Sequence, residues 1–418
     1  MYYYADTKTR KFLESDKSRV YIFGSCGGYN NFGDVIQLKN AIDFHRKRTK
    51  LEPVVVMFLG SLEGSYHPEA FKRWYDVAHF IFLSPELLDA SDAHLAPVEK
   101  IRSGFPLHVY GGGFLNKFWG KDMIEAIRSM VVDFKVSKYA FSGQQIDPEI
   151  TKDLKKLFTV KAPERFGLRD RASLSYMEKD IPKVKSVFSF DDVTEIFEQW
   201  SKRKLSSKQR LRNKLASPSV LWHINISSYV TDNKSALRDK MVEVQRRHPR
   251  YSLTVAHAYN DRRRGLFDSL QSIVEFENDF PYSVYKVINI AQMAMELQPH
   301  KDLYANLAGL IGNVKFAVTS SYHTAMLMNY FGIPAYLMSA NDYYAQKQKG
   351  LGYETNFEKF LANPQVNLRD FAEERRERVV WLDDLAGVYE DAIDAKRSVN
   401  SLDVPKRKKP TPLAYRSY

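Results

Sequence analysis

The chain has 418 residues, 44% of them apolar and 27% charged, with a net charge of +12; this length suits two domains of about 200 residues each, and the composition excludes a disordered chain. No apolar run approaches the roughly 18 residues needed to cross a bilayer, and the N-terminus lacks the basic-then-apolar pattern of a signal peptide. The single cysteine, Cys26, excludes an intramolecular disulfide and a cysteine-rich metal site, and a cytoplasmic protein is expected.

Short apolar runs rich in Val, Ile, Phe and Tyr alternate with amphipathic stretches, the pattern of βα units and mostly parallel sheets. Ligands of open α/β sheets bind at the carboxyl ends of strands, so each predicted strand is taken together with the loop that follows it. The first, Val20–Gly24, leads into a glycine-rich loop ending Asn31-Phe-Gly-Asp34. Glycines there admit close backbone approach, and Asp34 is expected to cap the helix Val35–His45, in which Leu38 and Ile42 share a face. The loop is neither a GxGxxG fingerprint nor a Walker loop, and a plain glycine-rich turn is its alternative reading.

Strands follow near Pro53–Leu59, His79–Leu83 and Leu107–Tyr110, the last leading into Gly111-Gly-Gly113. Tyr139–Ser142 leads into Gly143-Gln-Gln-Ile-Asp-Pro148. Phe166–Leu168 is followed by Arg169-Asp-Arg-Ala-Ser173, where Arg169 can fork onto a carboxylate or phosphate, or pair structurally with Asp170. Val187–Phe190 ends this first Rossmann-like domain, residues 1–200.

Residues 201–218 turn basic and polar and are expected to be a linker. Much of the positive excess lies in Lys202–Lys214 and in the tail at Lys406–Lys409. Solvated linker and tail segments account for it; contact with an anionic membrane surface is the sharper alternative. Nucleic acid is not expected as a partner, because no binding module for it is present.

The second Rossmann-like domain, residues 219–365, has predicted strands at Val220–Ile226, Ser252–Ala256, Val314–Val318 and Ala335–Leu337, and helices at Lys234–Arg247, Leu303–Ile311 and Thr324–Tyr330. Thr319-Ser-Ser-Tyr-His323 gathers hydroxyls and free amides at a helix N-terminus, an arrangement that binds anions. His323 falls in the first turn, where the positive dipole end disfavours its charged form and suits it to proton transfer near neutrality. Ser339–Gly352 is expected as a loop bringing Lys347 and Lys349, flanked by Tyr343 and Tyr344, to a phosphate or carboxylate; solvated surface lysines are the bland alternative. A further basic loop, His257–Gly265, could hold a nucleotide or lipid diphosphate. Residues 366–400 are expected to form a pair of C-terminal helices that crosses back to brace the first domain, with a basic tail over 401–418. The fold class is α/β, two Rossmann-like domains facing a central cleft.

Taken in order, Asn31-Phe-Gly-Asp34, Gly111-Gly-Gly113, Gly143–Pro148, Leu168–Ser173, Ser320-Ser-Tyr-His323, Gly332-Ile-Pro334 and Tyr344-Ala-Gln-Lys347 resemble the polysaccharide pyruvyl transferase family over Tyr21 to Gly352. The resemblance implies a fold similar to GT-B glycosyltransferases, an acceptor side in the first domain and a donor side in the second. It implies transfer of the enolpyruvyl carbons of phosphoenolpyruvate onto two sugar hydroxyls as a cyclic ketal, with phosphoenolpyruvate as co-substrate, no other cofactor and no metal. The acceptor would be a sugar or lipid-linked oligosaccharide of a capsule, exopolysaccharide or cell wall; peripheral contact with an anionic membrane and a homo-oligomer are compatible with that role. On this basis His323 is the acid/base group, with Asp34 or Asp170 assisting. Arg169, Ser320, Ser321, Lys347 and Lys349 bind the donor, and Asn31, Gly112, Gly113 and Gln144 face the acceptor.

The chain departs from the family where an arginine is common two residues before the histidine: Ser321 stands there. Lys349, Arg171 or the Arg262–Arg264 cluster are the expected substitutes. Asp147 also replaces a residue that is often glycine in the family. The competing readings are a GT-B glycosyltransferase using a nucleotide sugar and a sugar-binding relative without activity.

Overall fold

The computed structural model describes residues 1–24, 31–58, 68–87, 95–202, 205–225, 234–261, 266–267, 284–296, 307–339 and 342–394. Cys26, most of the first glycine-rich loop, the Arg262–Arg264 cluster and the basic tail lie outside the described residues.

In chain order the first half comprises β1 (Tyr2–Ala5), α1 (Thr7–Glu14), β2 (Arg19–Phe23), α2 (Phe32–Phe44), β3 (Glu52–Phe58), α3 (Pro68–Tyr75), β4 (His79–Ser84), β5 (Ala96–Pro97), β6 (Leu107–Val109) and β7 (Gly112–Leu115). It continues with α4 (Gly120–Asp133), β8 (Tyr139–Ile146), α5 (Thr151–Val160), β9 (Arg165–Leu168), α6 (Arg171–Asp180), β10 (Ser186–Phe188) and α7 (Thr194–Ser201). These strands form one sheet in the order β10-β9-β8-β6-β2-β3-β4-β1-β5, with β7 also paired to β8. Its pairings are parallel apart from those of β1 with β4 and β5. β2, β4 and β8 are buried at every position, which is why they appear as continuous apolar runs instead of alternating ones.

The second half comprises α8 (Ser207–Leu215), β11 (Ser219–His223), α9 (Lys234–Arg247), β12 (Ser252–His257), the hairpin of β13 (Asn260–Asp261) with β14 (Leu266–Phe267), β15 (Val284–Asn289) and α10 (Ile290–Glu296). Then come β16 (Val314–Thr319), α11 (Tyr322–Tyr330), β17 (Ala335–Leu337), α12 (Asp342–Gly350), α13 (Phe357–Ala362) and α14 (Ala372–Asp394). Its parallel sheet has the order β15-β12-β11-β16-β17. One mostly parallel and one parallel sheet, each with crossover helices, give the expected α/β class with two Rossmann-like units.

The structure corrects four local expectations. Residues Asp370–Lys396 contain one continuous helix, α14, where a pair was expected; no glycine or proline break at its middle stops it, since Gly387 sits in regular helix. The stretch expected as a bare linker carries α8, closed at its start by a capping box of Ser206 and Gln209. The lysine-bearing loop is the helix α12. β1 and β15 have no counterpart among the predicted strands; β1 lies antiparallel between β4 and the short edge strand β5, outside any βα repeat.

Two helices are buried nearly all round: α2, of which only Asp34, Lys39 and Asp43 are half-buried, and α11, of which only Tyr330 is. Helices enclosed on nearly every side lie inside the molecule, and α2 does so with Gln37 and Asn40 among its buried positions. Both belong to one apolar cluster that also takes in Val20, Ile22 and Val55 of the first sheet and Leu221, Ala256 and Ala317 of the second. The two sheets are therefore joined through a shared core, and the N-termini of α2 and α11 meet inside it.

α14 lies across the first sheet. Trp381 approaches so closely that a Cβ on Gly167 would stand 2.6 Å from its ring, and Tyr389 Oη donates to Leu107 O at 3.2 Å. Arg378 reaches through to Asp192 at 2.6 Å, Glu195 at 2.8 Å and the carbonyl of Ser189 at 3.1 Å. Burial opposes its charge, yet Glu195 and Asp192 outweigh that and hold the guanidinium above its ordinary range. Arg378→Ala leaves Asp192 buried without its cation and is expected to cost about 3–5 kcal/mol, read as a lower urea midpoint. Among the described residues no helix is long and apolar enough to cross a membrane.

Candidate active site

The site forms where α2 and α11 meet. Asn31 caps α2, its side chain accepting from Gly33 N, and Asp34 lies within the first turn; the expected capping by Asp34 is thus performed by Asn31. Asn31 also bridges to Tyr259, and Phe32 N donates to Ala258 O at 2.8 Å, which ties this helix start to the second sheet. Ser321 caps α11, its hydroxyl accepting from Thr324 N at 3.2 Å. Thr319 Oγ1 accepts from Ser321 N, and Ser320 Oγ accepts from Asn225 N, each at 2.9 Å. The hydroxyls expected for a donor therefore already hold the helix entry in shape.

Gly33 and His323 are in direct contact. A Cβ built on Gly33 would fall 1.7 Å from His323 Nδ1, so only glycine leaves room for the imidazole. Two helix N-termini, each worth roughly half a positive charge, consequently converge on one point.

The group that answers this positive field is Asp191, just beyond β10 and fully buried. Its Oδ1 accepts from Gln37 Nε2 at 3.0 Å and from Val193 N at 3.1 Å. Its Oδ2 accepts from Arg169 Nη1 at 3.1 Å and lies 3.3 Å from His323 Nε2. Burial favours the neutral acid, but His323, Arg169 and Gln37 together hold the carboxyl well below the usual range. Asp191 was not among the expected site residues. A carboxylate at a strand end was the available signal.

Arg169 is itself buried, lies 4.3 Å over the ring of Tyr322 and donates to Gln145 as well as Asp191. Its partner is not Asp170, which caps α6: Asp170 Oδ1 accepts from Ser173 N at 2.8 Å and Oδ2 from Ser173 Oγ at 2.9 Å. With both oxygens so used, Asp170 is held as a structural cap.

Lys347 Nζ lies 3.9 Å from the ring centroid of Tyr343 and 4.7 Å from that of Tyr344, and no carboxylate among the described residues is within ion-pair distance of it. Removal from water, then the nearby Arg169, pushes its ammonium well below the ordinary lysine range, against the pull of Asp34 and Asp191. Lys349 is exposed on α12. Arg171 is committed elsewhere, to Glu377 and the ring of Phe188. Of the residues expected to replace the family arginine at Ser321, Lys349 and Arg171 are thus outside the site and Arg262–Arg264 lies outside the described residues, whereas Lys347, expected separately as an anion ligand, is at the site.

On the first-sheet side, Tyr343 Oη donates to Gly113 O at 2.9 Å, drawing α12 onto the glycine-rich strand end. A Cβ on Gly113 would lie 2.3 Å from that hydroxyl, and Gly112 has a φ of +154°, so both positions need glycine. Gln144 is fully buried beside them, its Nε2 donating to Tyr110 O at 2.9 Å. Among the described residues no cluster of three or more His, Cys, Asp or Glu could hold a metal ion.

Fold and site together define a GT-B-like α/β protein whose two Rossmann-like units close over a histidine, a buried carboxylate and two cations. Among solved structures, UDP-GlcNAc 2-epimerase from Neisseria meningitidis, bound to UDP-GlcNAc, matches with a TM-score of 0.50 at 10% identity, over 88% of this chain and 99% of that one. The S. aureus MnaA structure with UDP matches with a TM-score of 0.48 at 10% identity, over 88% and 97%. At such identity the likeness concerns the fold alone. No family description matches the sequence, and no curated protein does.

Proposed function

We propose that the protein transfers the pyruvyl group of phosphoenolpyruvate to two hydroxyls of a sugar in a polysaccharide or lipid-linked precursor. The observation that carries this reading is the crowding of Arg169 and Lys347 at the helix end beside His323, with only Asp191, among the described residues, bonded to either as a counter-charge. A ligand with a carboxylate and a phosphate supplies the missing negative charge.

His323, held by Asp191, delivers a proton to the methylene carbon, which makes C2 electrophilic. One sugar hydroxyl adds to C2, the bond from C2 to the phosphate oxygen breaks, and a neighbouring hydroxyl closes the ketal. Two hydroxyl protons are released: one restores His323 and the other leaves with phosphate. Arg169 and Lys347 offset charge on the donor, and Asp34 is the nearby group suited to orient the acceptor.

A second reading, sugar chemistry on a nucleotide-linked substrate, is favoured by the fold shared with the UDP-GlcNAc-bound epimerase. The test mixes the protein with phosphoenolpyruvate and candidate glycan precursors. The expected result is phosphate release with a product carrying a pyruvyl ketal, abolished in His323→Ala without loss of folding. Absence of phosphate release, together with a raised melting temperature in UDP- or GDP-sugars, would replace the first reading by the second.

Proton linkage gives a further check. Free Lys347 has a depressed pKa, and a bound anion raises it, so binding takes up a proton between the two values. Affinity for phosphoenolpyruvate is expected to fall as pH rises through the bound-state value. Calorimetry in buffers of different ionisation enthalpy reads the uptake, which Lys347→Met should remove.

A further inference from the structure

We propose that α8 is a docking surface for an anionic lipid membrane. Its two sides are reversed relative to an ordinary surface helix. Gln209 and Asn213, one turn apart, face the protein: Asn213 Nδ2 donates to Ala308 O at 3.4 Å, and a Cβ on Gly312 would fall 1.7 Å from the same nitrogen. Leu205, just before the helix, is half-buried against the core. The opposite side carries Leu211, 58% exposed, and Leu215, 76% exposed, again one turn apart.

Lys208, Arg210, Arg212 and Lys214 flank this leucine pair, and all four are exposed. None forms an ion pair among the described residues, and α8 contains no acidic residue. A helix that turns polar amides inward and leucines outward, with cations on both sides of the leucines, has the pattern of one lying in a lipid interface. Charge decides the occupant. A second copy of the chain would bring the same four cations against themselves, whereas an anionic lipid surface complements them and accepts the leucines. A nucleic acid would meet the cations but leave the leucines without a role, and the face carries no aromatic ring for a base to stack on.

The test is flotation of the full chain with vesicles of phosphatidylcholine containing one-third phosphatidylglycerol, against vesicles of phosphatidylcholine alone. The protein is expected to float with the anionic vesicles only, and less as salt rises. Leu211→Ser with Leu215→Ser, and separately Lys208→Gln, Arg210→Gln, Arg212→Gln and Lys214→Gln together, should each weaken binding by about tenfold or more. Unchanged melting curves establish that these surface variants fold. Both variants keep the tail at Lys406–Lys409, so undiminished binding in the lysine and arginine variant assigns the attraction to the tail and overturns the proposal. Undiminished binding in the leucine variant reduces α8 to a polyanion patch and also overturns it, as does the absence of flotation or equal flotation with neutral vesicles.

Discussion

Asp191→Ala is expected to lower the unfolding free energy by about 3–5 kcal/mol and to remove turnover. Four donors converge on this carboxylate from separate parts of the chain: Gln37 of α2, Arg169 after β9, His323 of α11 and the backbone of Val193 before α7. Alanine leaves Arg169 buried without its anion, and a buried charge without its partner is the costly case. Asp191→Asn retains the shape and some acceptor capacity, so a smaller loss is expected. The pH dependence has a fixed sign. A depressed folded-state pKa means that Asp191 contributes stability above the ordinary aspartate value of 3.8, lost as pH falls below it toward the folded-state value. Chemical denaturation along an acid series should show part of that slope missing in both variants. An unchanged slope would mean that another carboxylate dominates.

Gly33→Ala is expected to reduce turnover by about 100-fold while costing about 1–3 kcal/mol of stability. In an exposed helix the same change favours folding by about 1 kcal/mol. Here the added methyl would stand 1.7 Å from His323 Nδ1 and 2.4 Å from its Cε1, so the imidazole must move and its contact with Asp191 is lost. Gly387→Ala is the control. It lies in α14 with nothing within 4 Å of the new Cβ, and it should be neutral or slightly stabilising and leave activity intact. Comparable activity in the two variants would show that the position of His323 does not govern turnover.

Much of the scaffold is legible locally because parallel strands buried on both faces are continuous apolar runs. Pro53–Leu59, His79–Leu83 and Val314–Val318 are found as strands within a residue or two of their expected limits. β1 breaks the pattern: its Tyr2-Tyr-Tyr4 run pairs antiparallel with β4, and nothing in the sequence near it specifies β4 as its partner. Ser339–Gly352, expected as a loop, contains α12. It is anchored by burial of Tyr344 and Gln348 and by the Tyr343 contact with Gly113, which no local pattern encodes.

The α/β class and the helix N-terminus at His323 are legible in the sequence alone, since they depend on neighbours a few positions apart; the need for glycine at residue 33 is not, because the imidazole of His323, distant in the chain, imposes it. Which charges meet at His323 follows from through-space packing. Asp191 lies 132 positions from His323, Asp170 turns out to cap its own helix, and Lys347 rather than Lys349 comes beside Arg169. Charge pairing in a buried site is set by through-space distance and by loss of water, neither of which spacing along the chain records.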